Sequence, residues 1–217
     1  MAAKKDLKQT IINTFMDHVL VHDKMPSSVY TFCKAIKIDE SEFYKHFASF
    51  SNLEEHIFVL FFNKSMELVA SDASYENYNS REKLLTLYYT LFEMFTANRS
   101  YVVWSIGDHK KITFNELKKF KALKAVFTNF IDSLDLKLAN FDNSKIKSFS
   151  DKSVKEAAWL QLLLTIKFWL DDTSNSFEKT DIYIEKSVNT SFDIIDTTPI
   201  NSLVDLGKFI FNEKIKM

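Results

Sequence analysis

The chain has 217 residues and a formal net charge of −1, with 46% hydrophobic and 15% aromatic side chains but only two glycines and two prolines. That length and apolar content can fill a sizeable core, whereas so little Gly and Pro excludes phosphate-cradling glycine loops and leaves almost nothing for hairpin turns, so an all-α chain is expected. A single cysteine, Cys33, excludes an internal disulfide. With no leader pattern at the N-terminus, it points to a reducing cytoplasm. The longest purely apolar run, Ile57 to Phe62, is far short of the ~20 residues of a bilayer span, so no integral membrane association is expected.

The first helix is expected from about Lys4 to Val21, where Leu7, Ile11, Phe15 and Val19 repeat every fourth residue. Pro26 interrupts. Ser27 can cap a short second helix whose Val29, Phe32, Cys33 and Ile36 follow helical spacing. Lys37 and Ile38 make the turn. Asp39 and Glu42 have the spacing of a capping box for a third helix, about Glu40 to His46, whose Phe43 and Phe47 face inward and leave Ser41, Glu42, Lys45 and His46 outward. Ser51 and Glu54 suggest a second box, opening a long helix that is apolar nearly all round through Leu53, Ile57, Phe58, Phe61, Phe62, Met66 and Val69.

Two short helices joined by a tight turn, behind one longer helix and ahead of another, have the layout of a helix-turn-helix. On these residues the run "SSVYTFCKAIKIDESEFYKHFASFSNLEEHIF" resembles the DNA-binding head of the TetR family of bacterial repressors. Ile38 takes the place of that motif's Val, Asp39 of its Ser cap, Phe43 of its Leu, Tyr44 of its Tyr, and His46-Phe47 of its His-Phe pair. The sequence departs from the motif with Lys37 for the turn Gly, Glu42 for a small hydroxyl residue, Glu40 for a base, and Phe50 for the linker Lys. The resemblance implies a TetR-like fold, with a three-helix head at 1–50 and a helical bundle for ligand binding and dimerisation at 51–217. It places Ser28, Ser41, Glu42, Tyr44, Lys45 and His46 at the DNA, Tyr44 and Lys45 on the phosphate backbone, with Lys4, Lys5 and Lys8 adding attraction. The carboxylates of Asp39, Glu40 and Glu42 suit the positive end of a helix but repel phosphates.

A polar stretch, "SDASYENYNS", leads to the body. Stripes of Leu84, Leu87, Tyr88, Leu91, Phe92 and Phe95, and of Leu117, Phe120, Leu123, Phe127 and Phe130, mark two helices. "VKEAAWLQLLLTIKFWL" and "TDIYIEKSVNTSFDII" follow, and Pro199 precedes a last helix bearing Leu203, Leu206, Phe209 and Ile210. By position in the resemblance, the two late segments are the homodimer interface. Twenty-one Phe, eight Tyr and three Trp exceed what a bundle core needs, and planar side chains line pockets for flat or long apolar ligands. Phe58, Phe62, Met66, Tyr88, Phe92, Trp104, Phe127 and Trp159 are the residues expected at a pocket for a hydrophobic small molecule or lipid.

No nucleophile triad, phosphate loop or carboxylate pair is recognisable, so neither an enzyme nor a cofactor is expected. His18 and His22 share a face of the first helix, but no third metal ligand accompanies them. Two functions remain. One is a regulator that binds a palindromic operator as a homodimer and answers to an apolar effector. The other is a lipid- or isoprenoid-binding protein that keeps the TetR fold without reading DNA, as in a protein of coenzyme-Q biosynthesis.

Overall fold

The computed structural model describes residues 2–107, 118–134, 136 and 144–196, with side chains at 7–107, 119–134, 136 and 152–194. Among these residues there are nine α-helices and no strand: α1 Ala2–His22, α2 Val29–Ala35, α3 Glu40–Tyr44, α4 Phe50–Ala70, α5 Ser80–Ala97, α6 Arg99–Ile106, α7 Lys121–Ser133, α8 Ser144–Asp171 and α9 Glu178–Asp196. None of them is long and apolar enough to cross a membrane. The side chains of Lys4, Lys5 and Ile195, together with Leu117, Pro199 and the segment bearing Leu203, Leu206, Phe209 and Ile210, lie outside the described residues.

Local chemistry fixes the first elements, with corrections to the sequence reading. The cap of α2 is Ser28, not Ser27: its Oγ accepts the Thr31 amide at 3.1 Å. The helix closes with a Schellman motif, the Ile38 amide donating to the Cys33 carbonyl at 3.0 Å and the Lys37 amide to that of Lys34 at 3.3 Å. Lys37 holds the left-handed position of this motif, φ 57°, where a β-carbon crowds the backbone and glycine is the usual occupant. The Asp39 half of the capping box expected for α3 is not formed. Asp39 makes no side-chain cap bond, and the Glu42 carboxylate turns along the helix to the Lys45 ammonium. The second expected box is also displaced. Ser49 Oγ accepts the Asn52 amide at 3.1 Å and Asn52 Oδ1 accepts the Ala48 amide at 3.2 Å, so the reciprocal cap lies two residues earlier and Glu54 is released for another role.

The described residues fall into two compact units divided at Leu68/Val69, Thr90/Leu91 and Val126/Phe127. In the first, Phe15, Phe32 and Phe43, one ring from each of α1, α2 and α3, surround Phe50 at the start of α4. All three ring centroids lie 5.5 Å from that of Phe50, stacked for Phe15 and edge-on for the other two. Each such pair adds roughly 0.5–1.5 kcal/mol beyond area burial. Further along, Phe58 and Phe61 of α4 meet Phe95 of α5 and Tyr101 of α6.

In the second unit Tyr88, Phe127 and Trp159 form a chain of rings 6.1–6.2 Å apart. Helices α8 and α9 pack together with a Phe168–Tyr183 stack at 4.5 Å, and Leu162, Ile166, Ile184 and Val188 on them are buried. The turn between them is organised by Asp172. One of its oxygens accepts the amide and hydroxyl of Ser174, and the other those of Thr180, all at 2.7–2.9 Å. Burial alone would push this carboxyl up, but the four hydrogen bonds outweigh it and hold it at about 2.

Candidate nucleic-acid interface and effector site

The α2–turn–α3 unit presents a polar face. Tyr44 is 53% exposed at the end of α3, its ring braced edge-on against buried Phe43 at 5.6 Å. Lys45 follows, also exposed, with its ammonium on Glu42. Ser41 is exposed. An exposed ion pair of this kind contributes ~0.2–1 kcal/mol, little enough for a phosphate to compete. The Ser28 hydroxyl is taken up by its own helix, accepting the Thr31 amide and sharing a 3.0 Å hydrogen bond with the Thr31 hydroxyl. His46 is half-buried, and its Nε2 is buried without a hydrogen bond. This is less outward than its sequence position suggested, because its ring leans on Phe47 at 6.3 Å.

Tyr30 was missed by the sequence reading. It is 58% exposed on α2, with the Lys34 ammonium 5.9 Å from its ring centroid. Three residues from Cys33, it flanks the apolar stripe of α2 with its ring outward. An aromatic at an outward helical position was the available signal.

Behind this face, the Lys8 ammonium lies 2.8 Å from His56 Nε2, and the His56 ring meets Phe47 edge-on at 5.5 Å. The lysine can only donate, so the imidazole accepts at Nε2 and carries its proton on Nδ1. Burial, and then the Lys8 charge, lower the pKa of His56. His18 and His22 stack at 4.3 Å, and His22 Nδ1 donates to the His18 carbonyl at 3.0 Å. Among the described residues no three His, Cys, Asp or Glu side chains are placed to hold a metal.

The expected effector residues divide between the two units. Phe58, Phe62 and Phe92 are buried in the first, where Met66 and Trp104 are half-buried; Tyr88, Phe127 and Trp159 are buried in the second. Glu54, expected from the sequence to cap α4, belongs here instead. It is 4% exposed, and its Oε1 accepts from the Ser105 hydroxyl at 3.2 Å and from Lys119 at 3.3 Å. Its assignment to a helix cap had concealed it, although an acid amid Leu53, Ile57 and Phe58 was a usable signal.

An all-α chain with a short helix pair and turn, a long helix leading out of it and an aromatic body defines the class. Residues 83–210, more than half of the chain, match the family model described as tetracyclin repressor-like, C-terminal domain, and the chain belongs to that family. The match falls on the body, independent of the head motif. No curated protein matches the sequence.

Proposed function

We propose that this TetR-family protein is a homodimeric transcriptional regulator: a head of residues 1–50 binds each half of a palindromic operator, and residues 51–217 dimerise and take up an apolar effector. The observation that carries this is the capped α2, Schellman turn and α3, ending on exposed Tyr44 and Lys45. A phenol and an ammonium side by side suit two neighbouring phosphates, and Ser41 and Glu42 stand on the same short helix to meet base edges. Glutamate can accept from the cytosine amino group. The outer rows of α8 and α9 supply the dimer contact through exposed Leu160, Leu164, Ile182 and Ile194. Soft and aromatic residues of the first unit, Phe58, Met66 and Trp104, supply the apolar surface for an effector. A tenfold effect on operator affinity needs about 1.4 kcal/mol of preference for one head arrangement.

The test is selection of binding sites from random duplexes at low salt with the full-length protein. An enriched palindrome with half-sites about one helical turn apart is the expected result. Lys45→Ala then weakens all sequences alike, and the salt dependence is shallow for want of basic contacts. The pairing of Lys45 with Glu42 favours a second reading, a TetR-fold lipid carrier that no longer reads DNA. Absence of any enriched palindrome, with an apolar ligand still bound, would decide for it.

A further inference from the structure

A second polar feature lies in the first unit. Glu54 and Phe58 are one turn apart on α4, and Tyr101 and Ser105 are one turn apart on α6, so each pair shares a helix face. The faces meet: Ser105 Oγ donates to Glu54, and the rings of Phe58 and Tyr101 are 6.5 Å apart. Lys119 and Phe120 form the third wall, the ammonium on Glu54 and on the Ser105 carbonyl, the ring 4.9 Å from Phe58. Trp104 stands 6.1 Å from Tyr101.

Tyr101 is 1% exposed, yet its hydroxyl makes no hydrogen bond. Ser105 and Glu54 are close enough to act on it, and the Ser105 oxygen keeps lone pairs while its hydroxyl donates to Glu54, but the Tyr101 and Ser105 hydroxyls do not meet in hydrogen-bond geometry. Burial, and then the Glu54 charge, push this phenol up, so it stays a donor at every ordinary pH. A buried donor without an acceptor costs about 1–3 kcal/mol, a reason to look for a ligand that supplies one. Both bonds described for Glu54 fall on Oε1, while a carboxylate has lone pairs on two oxygens.

The group that answers both needs is a hydroxyl, which accepts from Tyr101 and donates to Glu54 through one oxygen. An ether oxygen only accepts, an ammonium only donates, and a carboxylate sets a second negative charge beside the first. Resting on the reading of an apolar effector, the geometry points to a binding site for a neutral apolar alcohol or phenol, its body against Phe58, Phe120 and Trp104 and its hydroxyl between Tyr101 and Glu54. A site built to bond a hydroxyl strongly rejects the analogue that lacks one.

Calorimetry of the full chain with 4-hexylphenol, its methyl ether and 4-hexylbenzoate tests this. The phenol is expected to bind at least ~10-fold more tightly than either analogue. Tyr101→Phe removes only the unbonded hydroxyl and keeps the fold; phenol and ether oxygens both accept from Tyr101, so it should weaken both by a similar factor, whereas Glu54→Gln, which removes the carboxylate that takes the phenol O–H, should reduce the preference for phenol over ether. Equal binding of phenol and ether, or tightest binding of the benzoate, overturns the hydroxyl site while leaving an apolar effector in place. No binding of any of the three overturns the hydroxyl site and the effector reading together. Affinities unchanged in Tyr101→Phe, or a preference unchanged in Glu54→Gln, overturn the assignment of the site to these residues.

Discussion

Lys37 occupies the one position in the α2–α3 turn where a side chain is a burden, at φ 57°. Glycine there relieves the left-handed crowding, ~1–2 kcal/mol for a residue with a β-carbon, but adds back unfolded-state entropy of ~0.5–1 kcal/mol. Lys37→Gly is therefore expected to stabilise the protein by about 0.5–1 kcal/mol, read as a higher urea midpoint with unchanged slope. His56 sets a different dependence. Its folded pKa lies below the ordinary value, so the unfolded chain binds the extra proton first and stability rises with pH in the window below about 6.5. Thermal scans should show Tm falling from pH 7 to pH 5, less so in His56→Gln. Part of the slope survives in that variant, because His18 is lowered in the same direction by burial and by the charges of His22 and Lys24. Neither Phe50 nor His56 could be assigned from the sequence. Each derives its role from partners on other helices, Phe15, Phe32 and Phe43 for the one and Lys8 for the other, and spacing within one segment carries no information about such partners.

At the scale of elements, helix existence was legible and helix ends were less so. The i, i+4 stripe of α1 and the aromatic stripe of α5 identified their helices and their buried faces: Ile11, Phe15 and Val19, then Leu84, Leu87, Leu91 and Phe95, are all buried. The caps were misjudged because Ser27 and Ser28, and Ser49 and Ser51, are equivalent to a pattern. Only backbone geometry decides which hydroxyl meets the free amide. The α8–α9 turn went unremarked although Asp172 and Ser174 have the spacing of an Asx turn. Its carboxylate is held at about 2, below an unfolded value near 3.9, so its contribution is present above about pH 4 and is lost as pH falls toward 2. Asp172→Asn should lower stability at pH 7 by about 1–2 kcal/mol. The difference between variant and wild type in chemical denaturation should narrow as pH falls from about 4 to about 2.

For the whole molecule, the chief expectation is assembly. Leu160 and Leu164 lie one turn apart on α8, 56% and 49% exposed, and burying such side chains is worth roughly 1.5–3 kcal/mol each. Leu160→Glu with Leu164→Glu should give a folded monomer by light scattering at micromolar concentration where the wild type is a dimer; a monomeric wild type would remove the operator model as drawn. Phe192 is less suitable for this purpose. It is buried under the Arg81 guanidinium, 5.4 Å from its ring, and Arg81 also reaches Asp193 at 2.8 Å, so its loss would damage the subunit itself. Fold class was legible at this scale because so little Gly and Pro leaves helices as the available solution. The polar centre of the first unit was not, since Glu54, Tyr101, Ser105 and Lys119 are spread over 66 residues of sequence.

Cys33, finally, gives the chain a built-in clock. It is the only thiol, it is 1% exposed on α2, and burial, followed by the Glu40 charge, pushes its pKa up and leaves it unreactive while the head is closed. With a thiol reagent in excess, the labelling rate relative to a free cysteine measures how often the first three helices open. Each tenfold slowing corresponds to about 1.4 kcal/mol of local stability. An operator duplex that grips α2 and α3 should lengthen the labelling time, and a duplex of unrelated sequence should do so far less. Occupancy of α2 and α3 could then be timed in solution through the chain's own cysteine, with none engineered in.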